Sequence, residues 1–221
     1  MNDFNIAENY RRLRDSIPDH VTIIGATKTR SADEIREAIN AGLGVIGENY
    51  VQEAQGKHAE LAETADDAAW HMIGHLQRNK INKALPLFDI IQTIDSPRLA
   101  KGISKRAETP VPVFIQVNIA EEESKYGVEP DATFELGEQV SELPGLRLEG
   151  LMTMEPYFED PERARPYFRR MRRLFEEMRD DRRLGEYLET LSMGMTNSYR
   201  VAIDEGANMV RVGTAIFGPR S

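Results

Sequence analysis

Short apolar, β-rich runs alternate with amphipathic helical patterns along the 221 residues, and this alternation constrains the fold more than any other feature. Eight strands are predicted, at residues 21–27, 45–49, 70–74, 90–95, 111–119, 146–154, 188–194 and 209–218. Strands joined by crossover helices pair in parallel, in a closed (β/α)8 barrel or a doubly wound open sheet. Because no Gly-x-Gly-x-x-Gly fingerprint follows the first strand, we predict an α/β fold with a single (β/α)8 TIM-type barrel.

Local signals mark the starts of several helices. Ser31 and Glu34 have the spacing of a capping box. Two further starts combine a cap residue with proline at the first helical position, at Ser96-Pro97 and Asp160-Pro161. An extra helix precedes the first strand, and its apolar face contains Ile6, Tyr10, Leu13 and Ile17. Since no linker rich in Pro, Gly or Ser interrupts the chain, one domain over residues 1–221 is expected.

Composition excludes several classes of partner and site. The formal net charge of −9 argues against nucleic acid as a partner. No apolar run reaches the roughly 18 residues that a membrane span needs, so no membrane partner is expected. With no cysteine, the chain has neither disulfides nor thiolate metal sites. The N-terminal segment mixes acids and bases without the apolar core of a signal peptide, and a cytoplasmic location is expected.

A local basic segment lies at residues 162–180, where six arginines occur between Arg163 and Arg173. Apolar residues recur there at helical spacing, which predicts an amphipathic helix. Its arginines could form a basic docking surface, or they could be a solvated face with Glu176 and Glu177 available for pairing. The solvated face is the favoured interpretation.

The chemistry of a parallel α/β barrel collects at the C-terminal ends of its strands. In the last predicted strand, the alternation of side chains puts Val210 and Val212 on one face and Arg211 on the other. The valines suit the helix layer, so Arg211 should point into the barrel. A buried guanidinium there needs a hydrogen-bond acceptor.

The loops after strands seven and eight commonly bind phosphate in barrel enzymes. Gly213 lets the backbone come close to a ligand and Thr214 adds a hydroxyl, while Ser192 and Gly194 are the matching residues of the seventh strand. Either segment alone is typical of an ordinary tight turn. Their occurrence at both positions predicts a phosphate site.

Lys28 stands at the end of the first predicted strand. Most lysines are solvated surface residues. In a barrel mouth, partial desolvation and the nearby Arg211 would both lower the pKa of Lys28, and a neutral amine is a nucleophile toward aldehydes. A phosphate site, a lysine and an inward arginine together indicate a phosphorylated aldehyde, and pyridoxal 5′-phosphate (PLP) has that chemistry.

A family resemblance is carried by six segments: ATKTRSADEI, GVIGENYVQEA, WHMIGHLQRNK, VNIAEEESKYGV, GLMTM and LSMGMTNSYRVAIDEGANMVRVGTAIFG. They resemble the signature segments of the pyridoxal-phosphate homeostasis proteins, which are single-domain PLP-binding relatives of the alanine racemase N-terminal barrel. The resemblance covers nearly the whole chain, from about residue 23 to residue 218. It implies a barrel that binds PLP and takes part in intracellular vitamin B6 homeostasis.

The resemblance also implies roles for individual residues. Lys28 would form a covalent aldimine with PLP, and Asn49 would lie beside the ring. The phosphate would be held by Ser192, the backbone of Met193 and Gly194, Gly213 and Thr214. Arg211 would hydrogen-bond the pyridine nitrogen and keep it unprotonated, which weakens the ring as an electron sink. Such an arginine suits either a racemase or a protein that holds the cofactor without using it.

One departure from the family pattern follows the SMGM segment. The family usually shows Ser-Asp or Asp-Asp there, whereas this chain has Thr196, Asn197 and Ser198. Losing the acid should make the phosphate site less negative, which would not harm phosphate binding.

The favoured function is a non-catalytic carrier that supplies PLP to apo-enzymes through transient contacts, and the resemblance implies a monomer. The alternative is a weak PLP-dependent amino-acid racemase. Racemisation needs a second proton donor opposite the lysine, and a chain filled by the barrel has no room for the separate domain that supplies it in the relatives. The tyrosines that could replace it are Tyr50, Tyr126, Tyr157 and Tyr199. A third class, a sugar-phosphate isomerase without a cofactor, would use the phosphate site alone.

His71 and His75 share one face of their predicted strand. They could contact the cofactor or bind a metal, but two histidines without a nearby carboxylate are weak evidence for a metal, and no metal site is predicted. Structural roles are favoured for both histidines, and core packing is favoured for Trp70.

Overall fold

The structure, a computed structural model, describes residues 5–122 and 125–219, so Glu123 and Ser124 of the VNIAEEESKYGV segment lie outside the described residues. Within them, eight parallel strands close into a barrel in sequence order, which confirms the predicted (β/α)8 fold. The strands are β1 (Thr22–Ala26), β2 (Val45–Glu48), β3 (Ala69–Met72), β4 (Ile90–Ile94), β5 (Val111–Val117), β6 (Leu146–Thr153), β7 (Thr190–Met195) and β8 (Met209–Val212).

Helices connect the strands, and an extra helix precedes β1 as predicted. They are α1 (Ile6–Asp15), α2 (Ala32–Asn40), α3 (Val51–Leu61), α4 (Ile81–Ala84), α5 (Pro97–Ser104), α6 (Thr133–Ser141), α7 (Arg165–Asp180), α8 (Tyr199–Asp204) and α9 (Thr214–Phe217). The apolar face of α1 is buried, and Ile17, just beyond the helix, is buried with it. Among the helices of the described residues, none combines the length and the apolar character that crossing a bilayer requires.

The predicted helix caps form as the sequence indicates. In the capping box of α2, the Ser31 side chain accepts from the backbone N–H of Glu34, and the Glu34 side chain accepts from that of Ser31. Ser96 caps α5, and Asp160 caps a short 3₁₀ turn that leads into α7. These caps satisfy backbone donors that the helices themselves leave unpaired.

Alternating side chains divide the apolar core into two clusters. The smaller cluster fills the barrel interior and includes Ile24, Phe114, Met152 and Met209. The larger cluster lies between strands and helices and contains Val210 and Val212. Because Met209 and Arg211 lie two residues apart on β8, they face the same side, so Arg211 points into the barrel as predicted.

The prediction of an eighth strand over 209–218 is wrong beyond Val212. β8 ends there, Gly213 turns the chain, and Thr214–Phe217 form α9. A short apolar run has no periodicity that separates a strand from a helical turn. The long-range contact with α1 explains the helix: Asn9 Nδ2 donates to the backbone carbonyl of Ile216 at 3.4 Å, and the Ile216 side chain is buried.

Other strands deviate from the predicted bounds by one or two residues. β3 ends at Met72 rather than at residue 74, and β5 ends at Val117 rather than at 119. β7 runs to Met195, whereas the sequence predicted its end at 194. The last shift matters for the site, because it moves the turn that follows β7.

The arginine-rich helix α7 is amphipathic as predicted. Its buried face contains Phe168, Met171, Phe175 and Met178. Several of its arginines pair with acids, among them Arg165 with Glu205 at 2.7 Å and Arg172 with Glu176 at 2.7 Å. These pairs favour the solvated-face interpretation over a docking surface.

Candidate functional site at the barrel mouth

A cavity of about 620 Å³ opens at the C-terminal ends of the strands. Its wall includes Lys28 after β1, Asn49 after β2, Arg211 in β8, and Gly213 and Thr214 directly after β8. All five are predicted site residues, and the fold brings them around one space. Their proximity follows from the barrel, in which the ends of parallel strands meet at the same rim.

The other three predicted site residues, Ser192, Met193 and Gly194, do not line this cavity. Ser192 is completely buried, and Met193 packs in the outer core. Gly194 has a φ of 92°, and a Cβ on it would lie 2.5 Å from the Cβ of Ala202. Since β7 continues past Gly194, the chain lines the cavity at residues 195–198 instead. Contact of the three earlier residues with a phosphate stays a prediction.

Arg211 finds its hydrogen-bond acceptors inside the barrel. Its Nη1 donates to Ser192 Oγ at 2.7 Å, and its Nη2 donates to the backbone carbonyl of Thr153 at 2.6 Å. Burial lowers the pKa of the guanidinium to about 10, and the Glu155 carboxylate opposes this effect. Arg211 is therefore cationic at neutral pH and is held from both β6 and β7.

A chain of hydrogen bonds continues from Arg211 across the barrel interior. Ser192 Oγ donates to Gln92 Oε1 at 2.8 Å, and Gln92 Nε2 lies 2.8 Å from His71 Nδ1. Burial lowers the pKa of His71 to about 4, so the ring is neutral at pH 7 and its Nδ1 accepts from Gln92. This confirms a structural role for His71. Gln92 has no local sequence signal, because its partners lie 21 and 100 residues away along the chain.

The turn after β7 contacts a carboxylate that the sequence did not reveal. Ser198 Oγ accepts from the backbone N–H of Met195 at 3.0 Å and donates to the Glu155 carboxylate. Glu155 is 3% exposed, and its Oε2 has no hydrogen-bond partner within the described part of the chain. The loop after β6 therefore brings an acid against Ser198. The expectation that residues 196–198 make the site less negative than the family pattern does stays a prediction.

Charged side chains on the cavity wall are mostly cationic. Those within residues 5–122 and 125–219 are Lys28, Arg30, Arg211 and Glu155. Arg30, which the sequence did not single out, pairs with Glu34 at 3.2 Å and donates to the backbone carbonyl of Gly218. Even with Glu34 partly balancing Arg30, the surplus of positive charge favours an anionic ligand.

Hydrogen-bond donors collect where β7 and β8 end. The backbone N–H of Gly213 donates to Thr196 Oγ1 at 3.2 Å, and Thr214 lines the same part of the cavity. A Cβ on Gly213 would lie 3.2 Å from the backbone oxygen of Ala26, so a larger residue would press on the end of β1. The Thr196 hydroxyl, which accepts from the Gly213 N–H, and the Thr214 hydroxyl can therefore both donate to an anion here.

Asn49 lines the cavity because the neighbouring loop carries a glycine. A Cβ on Gly74, after β3, would lie 2.3 Å from the backbone oxygen of Asn49. Since backbone atoms cannot move aside as a flexible side chain can, only glycine permits this approach. Gly74 therefore sets the position of Asn49.

His75 and Trp70 lie outside the cavity wall. His75 Nδ1 lies 3.1 Å from Asp95 Oδ2, a carboxylate that sequence spacing did not reveal, and its ring stacks on Tyr126 with centroids 4.1 Å apart. Trp70 is buried and its Nε1 donates to the backbone carbonyl of Ala65, which confirms core packing. The residues that the structure describes contain no group of three or more His, Cys, Asp or Glu side chains able to hold a metal ion.

Comparison with known proteins gives consistent results at the level of sequence. The chain matches the family model of the alanine racemase N-terminal domain over residues 2–221. A pyridoxal phosphate homeostasis protein of Aquifex aeolicus is 45% identical over 201 residues, which cover 90% of this chain and 86% of the relative.

Solved structures extend the comparison to the fold. PipY of Synechococcus elongatus, solved without and with PLP bound, gives TM-scores of 0.88 and 0.85 at 36% identity, over 96% of this chain and 100% of PipY. Alanine racemase of Corynebacterium glutamicum gives a TM-score of 0.77 at 15% identity, a likeness in fold alone, over 98% of this chain and 61% of the racemase. The chain therefore belongs to the alanine racemase N-terminal domain family and, within it, to the pyridoxal phosphate homeostasis proteins.

Proposed function

We propose that this chain binds PLP reversibly, as a Schiff base on Lys28, and supplies it to apo-enzymes without substantial catalysis of its own. The observation that carries the proposal is one cavity whose wall contains both Lys28 and the anion-binding groups at the ends of β7 and β8. A phosphorylated aldehyde needs these two features together. The names of the relatives and the PLP-bound structure of PipY support the same ligand.

The cavity suits PLP in size and charge. Its volume of about 620 Å³ falls within the roughly 300–1,000 Å³ typical of cofactor sites. The surplus of cations on its wall matches the negative charge of a phosphate. The hydroxyl groups of Thr196 and Thr214 would hold the phosphate, and the backbone N–H of Gly213 would join them by exchanging its bond to Thr196 for one to the phosphate. Ser192, Met193 and Gly194 would support these groups from the strand below.

Lys28 would supply the nucleophile, and Asn49 would contact the ring from the same wall. The neutral Nζ attacks the aldehyde carbon, a C=N bond forms, and the aldehyde oxygen leaves as water. Hydrolysis reverses the step and returns the amine and the aldehyde, so the cargo can be released. When bound, PLP supplies this aldehyde and a ring that can accept electron density.

Arg211 disfavours chemistry that needs the ring as a strong electron sink, which suits a carrier and also a racemase. A guanidinium only donates hydrogen bonds, so it would stabilise the unprotonated pyridine nitrogen. A carboxylate at this position would instead stabilise the protonated ring, which is the stronger electron sink. The contacts of Arg211 with Ser192 and Thr153 fix this donor in place.

The alternative, a weak amino-acid racemase, has one observation in its favour. Tyr157 lines the cavity and is 77% exposed, so its hydroxyl can reach a substrate as the second acid. Tyr50 and Tyr126 are exposed without lining the cavity, and Tyr199 is buried. Against this alternative, the relative that is 45% identical is named a homeostasis protein and not a racemase.

Titration of the purified protein with PLP tests the proposal. We expect a new absorbance band from the Schiff base. Reduction with borohydride should then attach the cofactor permanently to the peptide containing Lys28, and Lys28→Ala should give no band. The loaded protein should reconstitute an apo-enzyme faster than cofactor released into solution explains, with no racemisation of alanine. Steady racemisation that is lost in both Lys28→Ala and Tyr157→Phe would establish the racemase instead. A complete lack of the band would favour the sugar-phosphate isomerase.

The location and assembly belong to the same proposal. A chain without cysteine suits the reducing cytoplasm, where disulfides do not form. We place the carrier there as a monomer, because a mouth open to solvent can meet an apo-enzyme directly. Light scattering of the purified protein, with and without PLP, should give the mass of one chain. A dimer mass in both states would contradict the monomer.

A further inference from the structure

We propose that Glu48, Glu53 and Lys57 are positioning residues that hold the turn at residues 27–29 so that Lys28 faces the cavity. This inference rests on the proposed Schiff base at Lys28 and adds the groups that orient its amine. All three residues belong to β2 and the helix that follows it. Each of them contacts a neighbour of Lys28 in the chain, so together they act on both sides of the lysine.

Thr27, the residue before Lys28, is fixed through both its side chain and its backbone. Its Oγ1 donates to Glu48 Oε1 at 2.6 Å, and its backbone carbonyl accepts from Lys57 Nζ at 2.7 Å. Lys57 Nζ also lies 2.6 Å from Glu48 Oε1. Since Thr27 is completely buried, these contacts leave it a single position.

Thr29, the residue after Lys28, has a φ of 67°, in the left-handed region that a β-branched residue adopts only at a cost. Its side chain is exposed, so core packing does not account for this conformation. Its backbone N–H donates to Glu53 Oε2 at 3.2 Å, and Glu53 lies 3.4 Å from Lys57 Nζ. The contact with Glu53 of helix α3 therefore stabilises a conformation of Thr29 that is unfavourable by itself.

The ion pair between Glu48 and Lys57 has a large desolvation cost. Glu48 is 0% exposed and Lys57 is 9% exposed, and Glu48 Oε2 lacks a hydrogen-bond partner within residues 5–122 and 125–219. Burial raises the pKa of Glu48, and the contacts with Lys57 only partly oppose this effect. Apolar residues of similar volume are often as stable as a buried ion pair or more stable. The contacts with Thr27 give the pair a role that apolar residues could not have.

Orientation of the amine affects one step of binding and leaves another unchanged. Bond formation requires Nζ to stay close to the aldehyde carbon, so a loose turn weakens the covalent step. The protein groups at the ends of β7 and β8 that would bind the phosphate do not depend on this turn. The inference therefore predicts separate effects on two ligands: PLP, and pyridoxine 5′-phosphate, which has the same phosphate but no aldehyde.

Glu53 offers the safest test, because its side chain is 37% exposed and its loss should not unfold the chain. Glu53→Ala should weaken the affinity for PLP about fivefold, the equivalent of one hydrogen bond of about 1 kcal/mol. Its affinity for pyridoxine 5′-phosphate should equal that of the wild type, and its melting temperature should fall by no more than about 2–4 °C, the effect of one lost hydrogen bond. Glu53→Gln keeps the acceptor and should restore PLP affinity, and Glu60→Ala, an exposed acid of the same helix, should have no effect.

The double variant Glu48→Gln/Lys57→Met tests the buried pair with neutral side chains of similar size. Its affinity for PLP should fall by at least about tenfold, because Thr27 loses the donor to its carbonyl. Absorbance titration measures the Schiff base, and calorimetry measures pyridoxine 5′-phosphate. If this variant does not fold, the Glu53 series decides the question alone.

Two results would overturn the inference. An equal loss of affinity for both ligands would show a general structural role, and unchanged PLP affinity in Glu53→Ala would show that α3 does not position the lysine. Both results require a Schiff base band in the wild type. A wild-type protein that binds both ligands without this band would instead contradict the proposed function, and the inference with it.

Discussion

Inside the barrel, the hydroxyl of Ser192 accepts a hydrogen bond of 2.7 Å from Nη1 of Arg211. The same hydroxyl donates its proton to Gln92, so both of its roles are taken within the protein. Ser192 is also completely buried. Ser192 therefore orients the Arg211 guanidinium from inside the barrel. The hydroxyl next to a bound phosphate would be that of Thr196.

This division of roles can be tested by comparing Ser192→Ala with Thr196→Val. Ser192→Ala leaves a buried guanidinium N–H without its acceptor and should lower the free energy of unfolding by about 1–3 kcal/mol, with little change in phosphate binding. Thr196→Val should weaken the affinity for pyridoxine 5′-phosphate about tenfold, since hydrogen bonds to charged groups are the stronger class. Urea unfolding and calorimetry measure the two quantities. A large loss of affinity in Ser192→Ala alone would return the phosphate contact to Ser192.

Local sequence patterns were sufficient for the barrel and for the direction of Arg211. Alternation along β8 requires only neighbouring residues, and the turn positions of Lys28 and Asn49 follow from strand ends. The patterns gave wrong predictions where the outcome depended on the exact residue at which a strand ends. A shift of one residue at the end of β7 moved the cavity wall to residues 195–198, and the apolar residues after Gly213 became a helix through contact with α1.

Pairings between distant segments had no sequence signal at all. Ser198 and Glu155 lie 43 residues apart, and Thr27 and Lys57 lie 30 apart. Periodicity tells which face of an element a side chain occupies, but it does not tell which residue of another element it meets. Buried polar groups of this kind can therefore be found only once the fold is known.

Because the loops after β2 and β3 approach each other closely, we predict that substituting alanine for glycine is far more harmful at Gly74 than at Gly44. Gly74→Ala would put a Cβ 2.3 Å from the backbone oxygen of Asn49, so the loop with Asn49 must move. We expect a loss of about 2–3 kcal/mol in the free energy of unfolding and weaker PLP binding. Gly44→Ala, where a Cβ has no atom within 4 Å, should change neither quantity by more than about 0.5 kcal/mol. Equal effects of the two substitutions would contradict the steric argument.

The buried His71 predicts that the protein loses stability in mild acid. Its pKa is about 4 in the folded chain and about 6.5 when exposed, so between these values the unfolded chain binds the extra proton. The free energy of unfolding should fall by about 2.5 kcal/mol from pH 7.5 to 4.5 through this group. In His71→Asn, which keeps an acceptor for Gln92, that contribution should vanish.

Urea unfolding across this pH range measures the difference between wild type and His71→Asn. Other titrating groups contribute equally to both proteins and cancel in the comparison. Parallel curves for His71→Asn and wild type would show that His71 is not held neutral by burial.

The carboxylate of Glu155 predicts that this chain binds PLP less tightly than its cations alone would allow. Glu155 lies on the cavity wall with Thr196, so its charge opposes that of a nearby phosphate. Glu155→Gln keeps the acceptor for Ser198 and removes the charge, and the affinity for PLP should rise about tenfold, as a screened interaction of about 1.4 kcal/mol would give. Affinity for pyridoxal, which has no phosphate, should not change. An equal increase for both vitamers would mean that Glu155 acts through the shape of the cavity and not through its charge.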